Sequence, residues 1–120
     1  MLLPDSIYVQ IFADRFVVKN IDSGATRTVR RDLSFASPRM LIADFTTAEN
    51  QLKEGVKAVH RGLRAPHVLM HPMELIDGGV TQVEHRVFRE LVTGAGASRV
   101  AVHTGPPLSG DGVRDAIRGS

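Results

Sequence analysis

The chain has 120 residues, a length at which a single domain buries enough apolar surface to fold without disulfides or a structural metal. It is 42% hydrophobic and 23% charged, which excludes a disordered chain, and a formal net charge of only +2 does not favour nucleic acid as a partner. The sequence has no cysteine, which excludes disulfides, thiolate zinc sites and cysteine nucleophiles. Because the first residues lack the features of a signal peptide and no run reaches the about 20 apolar residues of a membrane span, we expect a cytoplasmic protein with no membrane span.

Three strands are predicted at the start of the chain. Residues 6–12 and 16–21 are rich in β-branched and aromatic side chains, and the short segment between them suits a tight hairpin. After a turn at residues 22–24, residues 26–35 alternate in polarity, which predicts a polar third strand at a sheet edge. The one cluster of basic residues in the sequence falls here, and we interpret it as charge that protects an exposed edge strand. The alternative interpretation is that the cluster binds an acidic partner surface or an anionic lipid head group. The cluster comprises Arg27, Arg30, Arg31 and Arg39.

Two helices are predicted from capping boxes followed by apolar stripes. Thr46 and Glu49 form the first box, before a stripe of Leu52, Val56, Val59 and Leu63, and predict a helix over residues 46–61. Thr81 and Glu84 form the second box and predict a helix over residues 81–93. Its stripe consists of Val83, Val87, Phe88, Leu91 and Val92.

The rest of the chain supplies two more strands and the end of the domain. Residues 67–71 and 99–103 are short apolar runs that predict strands, and the glycines of residues 94–97 are interpreted as a helix cap. Residues 106–120 are predicted to be either a flexible tail or a short helix. The order β-β-β-α-β-α-β over one domain, residues 1–120, predicts an α/β fold of the ribonuclease-H-like kind, with a five-stranded mixed sheet in the order 3-2-1-4-5.

A resemblance to the bacterial actin homologue MreB rests on two segments. Residues 81–90, TQVEHRVFRE, followed by GAGA at residues 94–97, are similar to a helix and a glycine-rich stretch of that family. Residues 41–46, LIADFT, are similar to its V-I-A-D-F segment, and the likeness covers most of residues 6–107. The resemblance implies the fold of the actin-like ATPases, but only one of the two ribonuclease-H-like halves between which those proteins hold ATP.

The same resemblance implies that the nucleotide chemistry is missing. The family's first phosphate loop reads D-x-G-T, and Tyr8, Gln10 and Ile11 stand at its aspartate, glycine and threonine positions. Residues 103–106, HTGP, replace the family's I-E-E-P run, whose carboxylates help to position the attacking water. We therefore expect a truncated half-domain that is not an enzyme and uses no cofactor.

Other combinations of residues give weaker evidence for a catalytic or metal site. His67 and His71 would lie about 13 Å apart on one face of a strand, too far to share a metal, and are interpreted as structural, as are His60 and His85. His103 could face the former cleft, but we assign it no catalytic role. A ribonuclease-H-like nuclease would need several acidic residues on the first and fourth predicted strands, which the sequence lacks. The alternative function is a small phosphate-binding or metal-dependent hydrolase that reuses the fold with other residues.

The leading hypothesis is a non-catalytic protein-interaction module, associated with the bacterial cell-shape or actin-like filament systems that the resemblance suggests. A half-domain bares the surface that its missing half would cover, so we expect a protein partner or a homodimer there. With a single tyrosine and no tryptophan, the chain has no stacking platform for single-stranded nucleic acid. The predicted interaction surface comprises Phe12, Asp14, Arg15, His103, Pro106, Pro107 and Leu108.

Overall fold

A computed structural model describes residues 3–31, 45–74 and 82–119 of the chain. Several predictions fall outside these ranges: the third strand beyond residue 31, the capping role of Thr81, the position of Arg39 and most of the segment 41–46.

Five strands form one mixed sheet in the order β3-β2-β1-β4-β5, which confirms the predicted order. β1 pairs antiparallel with β2 and parallel with β4, β2 pairs antiparallel with β3, and β4 pairs parallel with β5. Because β1, β4 and β5 run in the same direction, they all end at one edge, which we call the carboxyl edge; the opposite one is the amino edge. The strands are β1 (Ser6–Ile11), β2 (Arg15–Asn20), β3 (Thr26–Arg30), β4 (His67–Pro72) and β5 (Arg99–Val102).

The first helix, α1 (Phe45–Val59), departs from its prediction at both ends. It includes Phe45, so the expected N-cap Thr46 already lies inside the helix, and that prediction is wrong. It also ends before Leu63, which is 88% exposed instead of extending the buried stripe. Ala48 supplies the stripe's fourth buried apolar side chain, one turn before Leu52.

The second helix, α2 (Gln82–Gly94), buries only the later part of its predicted stripe. Phe88, Leu91 and Val92 are buried, whereas Val83 is 71% exposed and Val87 is only half-buried. At 3.6 residues per turn, Val83 lies about 180° around the helix from Val92, so the two side chains cannot face the same sheet. The predicted stripe is therefore wrong at its first residue.

The interpretation of residues 94–97 as a helix cap is confirmed. The Gly96 amide donates to the Thr93 carbonyl at 3.0 Å, and the Ala97 amide donates to the Val92 carbonyl at 3.1 Å. Gly96 has φ +109°, in the region that favours glycine. This pair of bonds is a Schellman motif, which satisfies carbonyls that the end of α2 would otherwise leave unpaired.

The sheet is covered on both faces. α1 and α2 pack on one face, over a core that includes Ile7, Val9 and Phe16. The third helix, α3 (Gly110–Arg118), packs on the other face, where Val113 and Ile117 join Tyr8, Leu69 and Ala101 in a second apolar cluster. Of the two alternatives predicted for residues 106–120, the structure contains the helix, capped by the Ser109 hydroxyl, which accepts from the Gly112 amide.

Gly55 allows α1 to approach β2 and β3 closely. A Cβ at this position would lie 2.8 Å from Val18 Cγ2 and 3.3 Å from Val29 Cγ2. Valine is stiff about χ1, so neither neighbour can turn away without moving its strand. The glycine lowers helix propensity by about 1 kcal/mol relative to alanine, and the packing explains why the helix nevertheless contains it.

We expect Gly55→Ala to lower the free energy of unfolding by about 1 kcal/mol, because a clash of about 1–3 kcal/mol outweighs the gain in helix propensity. Gly112→Ala in α3 is the matched control, since its Cβ would approach no atom closer than 3.4 Å. Urea denaturation of the two variants measures the difference. Equal stability changes in both would show that Gly55 does not set the distance between α1 and the sheet.

Candidate functional site

The predicted interaction surface maps to the carboxyl edge of the sheet. Phe12 and Asp14 lie in the turn that follows β1, Arg15 begins β2, and residues 103–108 follow β5. Since β4 lies between β1 and β5, the two segments start about 10 Å apart at the same edge. The fold thus brings both predicted segments to one end of the molecule.

In the turn between β1 and β2, the ion pair of Arg15 and Asp14 covers the Phe12 ring. The Arg15 guanidinium lies 3.9 Å from the centroid of the Phe12 ring and donates to the Asp14 carboxylate at 2.7 Å. This hydrogen bond and the positive charge of Arg15 hold the pKa of Asp14 below its usual value. Phe12 is therefore half-buried beneath an ion pair.

Arg31 departs from the predicted basic patch because it is buried, with only 7% of its surface exposed. Its guanidinium donates to the Phe12 carbonyl at 2.8 Å and lies 4.6 Å from the centroid of the Phe16 ring. Burial lowers the pKa of Arg31. Arg27 and Arg30 are exposed on β3, as expected for charges that guard an edge strand. Arg31 instead ties the hairpin turn to the end of β3.

A buried polar network lies on the α3 face, where β1 and β4 approach the carboxyl edge. The Tyr8 hydroxyl lies 2.6 Å from His71 Nδ1, and the other ring nitrogen, Nε2, lies 2.9 Å from the Gly105 carbonyl oxygen. The Leu108 amide donates to the Tyr8 oxygen at 3.3 Å. We call Tyr8, His71, Gly105 and Leu108 the Tyr–His network.

These partners determine the protonation state of His71. The Gly105 carbonyl can only accept, so Nε2 carries the ring proton, and Nδ1 of a neutral ring accepts the Tyr8 hydroxyl proton. His71 is 1% exposed, and this burial lowers its pKa, reinforced by nearby His103 and opposed by the contact with Gly105. The network is thus satisfied only when His71 is neutral.

His103, the first residue after β5, supports the network. Its ring meets the His71 ring edge-on, with centroids 4.7 Å apart, and its Nε2 lies 3.2 Å from the Pro106 carbonyl oxygen. Gly105, between these two contacts, has φ +130°, which a residue with a side chain rarely adopts. The loop after β5 is therefore held against both histidines.

The other predicted surface residues differ in exposure. Pro106 and Pro107 are exposed, whereas Leu108 is half-buried and packs against the cluster that contains Tyr8. Of these three residues, the two prolines can therefore contact a partner without rearrangement of this loop.

The remaining histidines lie apart from the network. His67 is half-buried at the start of β4, and burial, then the nearby charges of Arg99 and Arg64, lower its pKa. His60 follows α1, where its Nε2 lies 2.8 Å from the Arg64 carbonyl oxygen. Within residues 3–31, 45–74 and 82–119, no three histidine or carboxylate side chains come together in a way that could hold a metal ion.

The chemistry of this edge follows from its side chains. The positions at which the actin-like resemblance expects an aspartate and a glycine hold Tyr8 and Gln10. The tyrosine hydroxyl is engaged by His71 and Leu108, and its ring is packed beneath α3. At this position the structure therefore has a packed tyrosine in place of the aspartate that the resemblance expects.

The fold and this geometry can be compared with known proteins. The chain is 31% identical over 97 residues to the uncharacterised protein YjaA of Escherichia coli K12, in a match that covers 74% of this chain and 75% of YjaA. The chain belongs to the YjaA family. No protein-family model matches this YjaA-family chain.

A solved structure decides the fold class. The ethanolamine utilization protein EutJ from Carboxydothermus hydrogenoformans superposes with a TM-score of 0.54 over 87% of this chain, at 14% identity. The match spans 38% of the EutJ chain. The YjaA-family chain thus has an α/β fold of the actin-like kind, as predicted, and it corresponds to less than half of EutJ.

Sequence reasoning missed the Tyr–His network. In the sequence, Tyr8 stands at a substituted phosphate-loop position and His71 is spaced to share a strand face with His67, and neither pattern indicates that the two side chains meet. Strand register was the available signal, because Tyr8 pairs with Leu69, which places His71 on the same face two residues further along β4.

No helix in the described ranges has the length and apolarity of a membrane span.

Proposed function

We propose that this chain is a non-catalytic interaction module with one actin-like half-domain. The observation that supports the proposal is the Tyr–His network, which fills part of the carboxyl edge with buried, mutually satisfied side chains. A phosphate loop needs backbone amides that remain open to an anion, whereas here the Leu108 amide is bonded to Tyr8. On the MreB resemblance, the partner is a protein of the bacterial cell-shape or actin-like filament systems, or a second copy of the chain.

Calorimetry with millimolar Mg-ATP tests the non-catalytic part of the proposal. We expect no saturable heat and no hydrolysis above the buffer background, because Tyr8 and Gln10 offer neither a carboxylate for the metal nor an open backbone for the phosphates. Saturable binding that Tyr8→Phe abolishes would overturn the proposal.

Light scattering and pull-down tests address the interaction surface. Phe12→Glu and Pro107→Glu place charges at the carboxyl edge without entering the core, and we expect each to weaken dimer formation or partner capture. Leu3→Glu is the matched control, since Leu3 is 73% exposed and precedes β1 at the amino edge. A strictly monomeric wild type whose captured proteins neither edge variant alters would show that this edge is not an interface.

A further inference from the structure

A groove at the amino edge lies opposite the carboxyl-edge surface. It runs between the second half of α1 and the segment that joins α2 to β5, with a volume of about 510 Å³. We call it the basic groove. The lining residues that matter below are Lys53, Lys57, Leu63, Pro66 and Ala95.

The rim of the basic groove is positively charged. Lys53 and Lys57 are exposed one turn apart on α1, and within the described ranges neither forms an ion pair or a side-chain hydrogen bond. The nearby carboxylate of Asp5 is already engaged, because it accepts the amides of Arg61 and Gly62 at 2.7 and 3.0 Å. Of the residues that line the groove, Lys53 and Lys57 carry the full positive charges. The Glu49 carboxylate lies against Gly94, next to the lining residue Ala95, and is the acidic group nearest to that end of the groove.

The floor of the basic groove is apolar. Ala95 and Pro66 are buried there, while Leu63 stands beside them with 88% of its surface exposed. Leu63 has no place in the core, because α1 ends four residues before it and the chain turns towards β4. An exposed leucine beside an apolar recess and two lysines suits a ligand that is both apolar and acidic.

We propose that the basic groove binds an acidic, amphipathic peptide segment of a partner protein, with an apolar side chain against Leu63 and Ala95 and carboxylates facing Lys53 and Lys57. A concave floor favours a peptide over a membrane, since a flat bilayer could reach the rim but not Ala95. Among the described residues, no Phe, Tyr or Trp lines the groove to stack a nucleic acid base, and the ring of the lining His60 is held by the Arg64 carbonyl at 2.8 Å. The inference rests on the proposed interaction function but not on the carboxyl edge.

The probe is a fluorescein-labelled helical peptide of about 12 residues with leucine and glutamate at helical spacing. We expect saturable binding, followed by anisotropy, with amide NMR shifts that map to Leu63, Ala95 and Gly96. Lys53→Glu with Lys57→Glu should weaken binding at least about tenfold, and Leu63→Ser should also weaken it. The matched control, Lys19→Glu with Arg86→Glu, changes the net charge equally and should alter affinity by less than about twofold.

Peptides with glutamine for glutamate, or serine for leucine, should bind at least about tenfold more weakly. Equal weakening by the control variant, unchanged binding of the glutamine peptide, or shifts that map away from the groove would overturn the inference. Phosphatidylglycerol vesicles that bind with the same dependence on Lys53 and Lys57, while the peptide does not, would assign the surface to a membrane and also overturn it. None of these outcomes bears on the Mg-ATP and carboxyl-edge experiments, so the two proposals fail separately.

Discussion

Replacing His71 with alanine is expected to lower the free energy of unfolding by about 3 kcal/mol at neutral pH. The variant would leave the buried Tyr8 hydroxyl without its acceptor and the Gly105 carbonyl without its donor, in a bond that is only partly buried. It would also open a cavity beneath the loop after β5, since His71 is 1% exposed. Chemical denaturation followed by circular dichroism measures the change.

The same substitution should alter the pH dependence of stability. The pKa of His71 in the folded protein lies below the value of 6.5 for an unperturbed histidine, so the unfolded chain takes up the proton first on acidification. Stability is therefore fully present above about pH 6.5 and falls as the pH drops towards the folded pKa, by at most about 1.4 kcal/mol per pH unit for one proton. His67, whose pKa is also lowered, adds a contribution of the same sign.

We expect His71→Ala to have a shallower loss of stability below pH 6.5 than the wild type. His85→Ala is the matched control, because His85 lies on α2, outside the Tyr–His network. It should keep both the wild-type slope and most of the stability. A wild-type slope that persists in His71→Ala would mean that His71 is not held neutral by its buried partners.

Replacing Asn20 with alanine is the second change expected to be severe, with a loss of about 3 kcal/mol. Asn20 is fully buried, and its amide nitrogen donates to the Val59 carbonyl at 2.9 Å and to the Asp5 carboxylate at 3.0 Å. Its side-chain oxygen accepts the amides of Asp22 and Ser23. Four buried or partly buried hydrogen bonds would therefore be lost, and the bond to the Val59 carbonyl is the one that is fully buried.

Thermal unfolding should show a fall in Tm of roughly 10 °C for Asn20→Ala. Ser23→Ala, in the same turn, removes the bond that the Ala25 amide donates to the exposed Ser23 hydroxyl, so it should shift Tm by no more than about 3 °C. Equal shifts in the two variants would show that Asn20 does not join the second hairpin to the end of α1.

The Asp5 carboxylate, which accepts a hydrogen bond from Asn20, adds a second pH dependence of stability at acidic pH. Although burial works to raise its pKa, the amides of Arg61 and Gly62 and the side chain of Asn20 hold that pKa below 3.8. Its stabilisation is therefore present above about pH 4 and is lost as the pH falls below it.

Local sequence determined the element order and the sheet order of this protein. Runs of β-branched residues marked the strands, and short connections together with the handedness of the crossovers left few arrangements of five strands. The Schellman cap at Gly96 was also predictable, because the glycines directly follow an apolar helical stripe.

The tertiary structure decided where individual side chains lie. Leu63 and Val83 both continue an apolar spacing in the sequence, and yet both are exposed. Leu63 is exposed because α1 ends at Val59, and Val83 is exposed because it lies on the side of α2 opposite to the buried face. In the sequence, Arg31 is one of several arginines predicted to lie at the surface, but in the structure it is buried. The contact of its guanidinium with the Phe12 carbonyl forms only when β2 and β3 pair, so the sequence alone does not indicate it.

The Tyr–His network and the basic groove depend on residues that are distant in the chain. Tyr8 and His71 are separated by 63 positions and meet only through the register of β1 on β4, and Leu108 reaches them because α3 folds back over that face. Lys57 and Ala95 likewise line one groove only because α1 and α2 lie side by side on the sheet. Periodicity within a segment predicts which of its faces is apolar, but the pairing of strands and the packing of helices determine which polar groups meet.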